Sequence, residues 1–129
     1  MVESAMLQVL LIEDHAEIAS MMVATLRMLG HETVWGQTVA EAVQRASDAA
    51  FDVILADYTL PDGTALDLVA QLKAANVTTP VVLLTAHEYD FLSPADQVGF
   101  ASQLQKPVGM DELGAALLLA AGTGHSTPA

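Results

Sequence analysis

At 129 residues the chain is one domain long, enough to bury a core without disulfides or metals as staples. Sixteen acidic residues against four basic ones leave a net charge of −12, the wrong sign for gripping phosphate backbones, so no direct nucleic-acid contact is expected. The absence of cysteine excludes disulfide and thiolate chemistry, and no run of about 18 uncharged apolar residues predicts a membrane span or direct membrane contact.

Residues 1–6 read as an N-terminal extension without the basic start of a signal peptide, which with the lack of cysteine points to a cytoplasmic protein. Apolar runs at 9–12, 33–35, 53–56 and 81–84, with a weaker one at 102–105, predict five strands. Helical spacing fills the intervals at 16–29, 39–47 and 65–74, and again at 110–121 after Gly109. Between the fourth and fifth strands, Ser93-Pro94-Ala95-Asp96 has the pattern of an N-cap, an N1 proline and an N3 acid, so that helix should start late and be short. Residues 122–129 are rich in Gly, Ser, Thr and Pro and read as a flexible tail. Uniformly apolar strands alternating with helices imply an α/β fold, a parallel five-stranded sheet covered by helices on both faces and joined by right-handed crossovers. One domain over 7–121 is expected, with no output domain.

In a doubly wound sheet, function collects where the strands end at their carboxyl edge. Here the residues just past the apolar runs are Glu13 and Asp14, Asp57, Thr85 and Ala86, and Lys106 with Pro107. Crowded carboxylates repel one another, and a hard divalent cation with oxygen ligands relieves that repulsion, so Mg²⁺ is the expected cofactor. A carboxylate at the end of a buried strand can attack phosphorus to form an acyl phosphate, which makes Asp57 the candidate acceptor. The three equatorial oxygens of a transferring phosphoryl group want a cation, a metal and a hydrogen-bond donor; Lys106, Mg²⁺ and Thr85 would supply them. The small Ala86 leaves the phosphorus approachable.

Taken alone, Glu13 and Asp14 would be ordinary acids at the start of a helix, and Asp62-Gly63 after Pro61 reads as a turn. The stretches VLLIEDH, DVILADYTLPDG, VVLLTA and QKPV, in this order and spacing, make residues 7–121 resemble the receiver domains of bacterial response regulators and hybrid histidine kinases. The resemblance implies a flavodoxin-like (βα)5 sandwich with strand order 2-1-3-4-5. It also implies transfer of a phosphoryl group from a phosphohistidine to Asp57, with a histidine kinase or phosphotransfer protein as donor and an unknown protein downstream. Asp14, Asp57 and the backbone carbonyl of Thr59 would bind Mg²⁺ directly and Glu13 mainly through water; the Lys106-Pro107 bond would be cis. Thr59 and His87 would tune the lifetime of the phosphoaspartate. Such a domain catalyses its own phosphorylation and dephosphorylation and is not a turnover enzyme.

The chain departs from the family at Gln103, where most relatives carry Tyr or Phe as a ring that swings inward on activation. Val108 stands where many have Phe, and Ala65 where many have Gly. From His87 onward the only Lys or Arg is Lys106, so the salt-bridged dimer of many DNA-binding relatives is not expected. On the first helix His15, Ile18 and Met22 form an i, i+3, i+7 line, a candidate docking face for the phosphoryl donor. The last helix, with Leu113, Leu117, Leu118 and Leu119, is apolar around more than one face and is a candidate partner surface. The four histidines share no metal-binding spacing, and no zinc site is expected. Two other functions compete. One is a receiver-like interaction module that needs no phosphorylation. The other is a haloacid-dehalogenase-like phosphatase, which places a second aspartate where this chain has Thr59.

Overall fold

An apolar run can be buried along its whole length only if both faces of the strand are covered. In the computed structural model, which describes residues 6–85 and 93–124, the chain runs β1 (Gln8–Ile12), α1 (Ala16–Met28), β2 (Glu32–Gly36), α2 (Val39–Asp48), β3 (Val53–Asp57), β4 (Thr59–Leu60), β5 (Gly63–Thr64), α3 (Ala65–Ala74), β6 (Val81–Thr85), α4 (Pro94–Gln97), β7 (Ser102–Gln105), α5 (Met110–Gly124). The main sheet is parallel, in the order β2-β1-β3-β6-β7. Counting its five strands alone, this is the expected 2-1-3-4-5 order of a flavodoxin-like fold.

Successive strand residues point to opposite faces, so the apolar runs of the three inner strands, β1, β3 and β6, feed two cores. Val9, Leu11, Val53, Leu55, Val82 and Leu84 pack with Leu26 of α1 and Leu113 and Leu117 of α5. Leu10, Ile12, Ile54 and Ala56 pack on the other side with Ala42 of α2 and Leu68 and Leu72 of α3. Among the described residues no helix is long and apolar enough to cross a membrane.

The helix starts follow local chemistry. Thr38 Oγ1 accepts from the Glu41 N–H at 3.0 Å, Thr64 and Asp67 form a capping box on α3, and the Ser93 side chain caps α4 ahead of Pro94. Gly63 has φ 155°, and a Cβ there would lie 2.7 Å from the Asp67 carboxylate that completes the α3 cap, so the turn requires glycine.

Three features differ from the sequence-based expectation. Asp57 and Thr85 are the last residues of their strands, β3 and β6, because their backbones still pair in the ladder. The turn at Asp62 is the tip of a small antiparallel hairpin, Thr59 opposite Thr64 and Leu60 opposite Gly63. Residues 122–124, expected in the tail, continue α5; the preceding turn is anchored by buried Leu117, Ala120 and Ala121, which offsets the roughly 1 kcal/mol helix penalty of a glycine. Residues 125–129 lie outside the described residues.

Asp62 is more than a turn residue. Its two carboxylate oxygens accept from the Val39 N–H at 2.7 Å and the Ala40 N–H at 3.0 Å, so the hairpin caps α2 from 23 residues away and is tied to it. Asp62→Ala is expected to lower stability by about 1–2 kcal/mol, read as a lower urea midpoint, with Asp62→Asn losing less; an unchanged midpoint in Asp62→Ala would contradict the brace.

His31, between α1 and β2, is buried and its Nδ1 accepts from the Leu7 N–H at 3.1 Å. Burial favours the neutral ring, opposed only in part by Asp52, and holds the group below its ordinary value near 6.5. The unfolded chain therefore takes up this proton first, so the stability His31 contributes is complete above pH ~6.5 and declines as the pH falls below it. Imidazole NMR is expected to show His31 titrating below 6.5; a midpoint at or above that value would be inconsistent with the buried acceptor role.

Candidate functional site

Backbone register builds the site. Leu11 pairs with Leu55 across β1 and β3, so two residues on, Glu13 and Asp57 come side by side at the carboxyl edge and on the same face. Leu84 pairs with Leu104 across β6 and β7, and Lys106, two residues past Leu104, projects toward the same face. Its chain spans the gap: Lys106 Nζ lies 3.2 Å from Glu13 Oε1 and 3.2 Å from Asp57 Oδ1. The Lys106-Pro107 peptide bond is cis.

Glu13 has no solvent exposure, which a carboxylate tolerates only when its oxygens are satisfied. Oε1 accepts from Lys106, and Oε2 accepts from the His15 backbone N–H at 3.1 Å and approaches His15 Nδ1 at 2.9 Å. The residue is also fixed through its backbone: its N–H donates to the Gly36 carbonyl at 3.0 Å and its carbonyl accepts from the Trp35 indole at 2.6 Å. Asp57 is buried, and its Oδ1 also accepts from the Tyr58 N–H at 3.1 Å. Asp14 is partly exposed, yet its Oδ1 is buried without a hydrogen-bond partner, 3.3 Å from His15 Nδ1.

The electrostatics follow. Burial pushes the Asp57 carboxyl up, and the neighbouring Glu13 adds to this against the pull of Lys106, so it sits above the usual carboxylate range. Burial also opposes the charge on Glu13, but the bonds from His15 and the Lys106 ammonium outweigh it and hold Glu13 low. Lys106 loses solvent as well, yet Asp57 and then Glu13 raise it above its ordinary value. The His15 ring is raised by its bond to Glu13 and by the charge of Asp14.

Ligand atoms of Glu13, Asp14, His15 and Asp57 all lie within 4.8 Å of one another. This oxygen-rich set, with one buried oxygen left unpartnered, fits a hard divalent cation such as Mg²⁺.

The remaining sequence-predicted residues fall as follows. Thr85 is buried and its hydroxyl donates to the Leu104 carbonyl at 3.4 Å. Thr59 is exposed on the hairpin and Gln103 is exposed on β7. Ala86 and His87 lie outside the described residues. Of the proposed docking line, His15 and Ile18 are exposed, whereas Met22 packs against the core. On α5, Leu118 and Leu119 are exposed at 48% and 73%. Two contributions were missed in the sequence. His15 joins the acidic cluster, a placement visible only as its adjacency to Glu13 and Asp14. Trp35 locks the Glu13 backbone from the neighbouring strand, which nothing in the local sequence signals.

Residues 9–118 match the family model described as the response regulator receiver domain. The swarming motility regulation protein RssB of Serratia marcescens is 31% identical over 108 residues, covering 83% of this chain and 49% of the relative. The response regulator protein PilR of Pseudomonas aeruginosa is 32% identical over 105 residues, 81% of this chain and 24% of the relative. This chain thus spans half or less of these curated relatives. Among solved structures, a CheY-like response regulator receiver domain from Methylobacillus flagellatus superimposes with a TM-score of 0.81 at 27% identity, covering 90% of this chain and 99% of the other. A sensor histidine kinase receiver domain from Pseudomonas aeruginosa, solved with a magnesium ion coordinated in its active site cleft, gives 0.81 at 27% identity, covering 92% and 99%.

A buried carboxyl held above its usual range carries its charge at a cost to the fold, so neutralising it is stabilising once the pH exceeds that range. At pH 7 without divalent cations, Asp57→Asn is expected to raise Tm by about 3–6 °C, the equivalent of roughly 1 kcal/mol, while Lys106 keeps Glu13 as its partner. Mg²⁺ at ten times its Kd should stabilise the wild type by about 1.4 kcal/mol and Asp57→Asn by less. A wild-type Tm indifferent to Mg²⁺, or a drop in Asp57→Asn, would contradict the crowded-carboxylate site.

Proposed function

The chain belongs to the response regulator receiver domain family, and on that premise we propose that it accepts a phosphoryl group from a phosphohistidine onto Asp57 in an Mg²⁺-dependent step. The observation that carries the reading is the Lys106 ammonium shared between Asp57 and the buried Glu13, beside a cluster suited to a divalent cation. Asp14, Asp57 and the Thr59 carbonyl would hold the ion, with Glu13 acting through water. When bound, Mg²⁺ offsets the repulsion among the carboxylates and the charge on the transferring oxygens.

An Asp57 carboxylate oxygen attacks phosphorus; the O–P bond forms as the P–N bond to the donor imidazole breaks, and the departing ring keeps the electron pair and takes up a proton. Lys106 stands beside the acceptor oxygen and pairs with the incoming negative charge. Thr85 can turn its hydroxyl from the Leu104 carbonyl to a phosphoryl oxygen, which frees that carbonyl on β7 and passes the event to the sheet edge. Gln103 on the same strand changes hydrogen-bond partners there in place of the aromatic ring of relatives. Thr59, Ala86 and His87 set access of water to the acyl phosphate and hence its lifetime.

The domain, proposed over residues 7–121, is a switch and not a turnover enzyme, working in the cytoplasm between a histidine kinase or phosphotransfer protein and an unidentified downstream protein. His15 and Ile18 would meet the donor, with Met22 supporting them from beneath. The net charge of −12 argues against this stretch itself touching nucleic acid, and the scarcity of basic residues late in the chain argues against a salt-bridged dimer.

Incubation with a small acyl phosphate and Mg²⁺ is expected to add one phosphoryl mass to wild type, none to Asp57→Asn, and to proceed at least about tenfold more slowly in Lys106→Ala. Intact-mass spectrometry decides this. No added mass in wild type would favour an interaction module that works without phosphorylation.

A further inference from the structure

His15 sits where the chain leaves β1, with its side chain 65% exposed and its Nδ1 between Glu13 Oε2 at 2.9 Å and Asp14 Oδ1 at 3.3 Å. One of its ring nitrogens belongs to the same 4.8 Å cluster as a carboxylate oxygen from each of Glu13, Asp14 and Asp57. A receiver site made of carboxylates, a carbonyl and water is an all-oxygen site, matched to Mg²⁺. An imidazole nitrogen is a different kind of donor. It adds little for Mg²⁺ and much for the later first-row divalent ions, whose affinity for nitrogen rises from Mn²⁺ through Co²⁺ to Ni²⁺.

We propose that His15 supplies a nitrogen ligand to the cation site and thereby makes it selective for Co²⁺- and Ni²⁺-class ions over Mg²⁺. The inference rests on the reading of this rim as a divalent-cation site. Ligation requires a ring nitrogen with a free lone pair: Nδ1 would give up its hydrogen bond to Glu13, a protonated ring releasing the Nδ1 proton to solvent and a neutral ring carrying its one proton on Nε2 instead. Exposure leaves the ring free to turn without repacking the core, and the backbone N–H of His15 still holds Glu13 Oε2, so the carboxylate does not lose its anchor when the ring turns to metal.

Trp35, the only tryptophan in the chain, provides the readout, because its indole donates to the Glu13 carbonyl and its fluorescence should respond when the cluster fills. Wild type and His15→Asn are titrated with Mg²⁺ and with Co²⁺ at pH 8.5. Asn retains an amide donor for Glu13 and offers no imidazole nitrogen. The expected result is a Co²⁺ affinity lower by about tenfold or more in His15→Asn, with Mg²⁺ affinity within about twofold of wild type, and a paramagnetically shifted imidazole N–H resonance in the Co²⁺-loaded wild type that the variant lacks. Equal loss of both ions would overturn the proposal and assign His15 to holding Glu13 alone. Unchanged Co²⁺ affinity would place the ring outside the coordination shell and overturn it as well. If neither ion binds wild type, the cation site itself is refuted, an outcome distinct from a site that binds both ions without regard to His15.

Discussion

The Lys106 ammonium, 3.2 Å from both Glu13 Oε1 and Asp57 Oδ1, is what lets two carboxylates be buried next to each other at the end of a hydrophobic sheet. Burial opposes the charge of either acid in that position, and the shared ammonium supports it. With the shared cation the outcome splits: Glu13, which also gathers bonds from His15, stays low, whereas Asp57 remains raised and under-compensated. That inequality has a chemical use. The acid with both oxygens engaged is a fixture, and the less satisfied one is the group that gains most from a cation or from becoming an acyl phosphate.

Holding this arrangement is the work of a parallel sheet. Glu13, Asp57 and Lys106 are distant in sequence, and only strands running the same way, in register, bring their ends to one rim. The surroundings then remove slack. Trp35 reaches from β2 to the Glu13 carbonyl, and the hairpin after Asp57 is fastened to α2 through Asp62. Both braces are hydrogen bonds to backbone groups, so they position main chain.

Much of this was legible in the sequence because it depends on short-range rules. Unbroken apolar runs give strands covered on both faces, and the polar residue just beyond each run falls at the functional edge; Glu13, Asp14, Asp57, Thr85 and Lys106 follow from that alone. Ser93 and Pro94 announce a late helix start, and α4 begins there. What was not legible depends on side chains meeting across elements. Asp62 looks like a turn residue and is one, but its oxygens find α2 only once the sheet is assembled. His15 read as a docking residue at the mouth of the site, because helical spacing rules do not describe a histidine bonded to the glutamate two residues before it. Met22 fits the same docking line by periodicity, yet it is half-buried and packs against the core. The length of α5 was underestimated because a glycine stop signal at Gly122 is weak against an anchored preceding turn.

Residue 57 is the proposed meeting point of the cation, the lysine and an incoming phosphoryl oxygen. A crystal structure grown with Mg²⁺ and beryllofluoride, a stand-in for the phosphoryl group, tests it most directly. Beryllium is expected on an Asp57 oxygen, with Mg²⁺ contacting Asp14 and Asp57 and Lys106 Nζ within hydrogen-bond distance of a fluorine. Beryllofluoride on another residue, or Lys106 still bridging Glu13 and an unmodified Asp57 at saturating ligand, would contradict it.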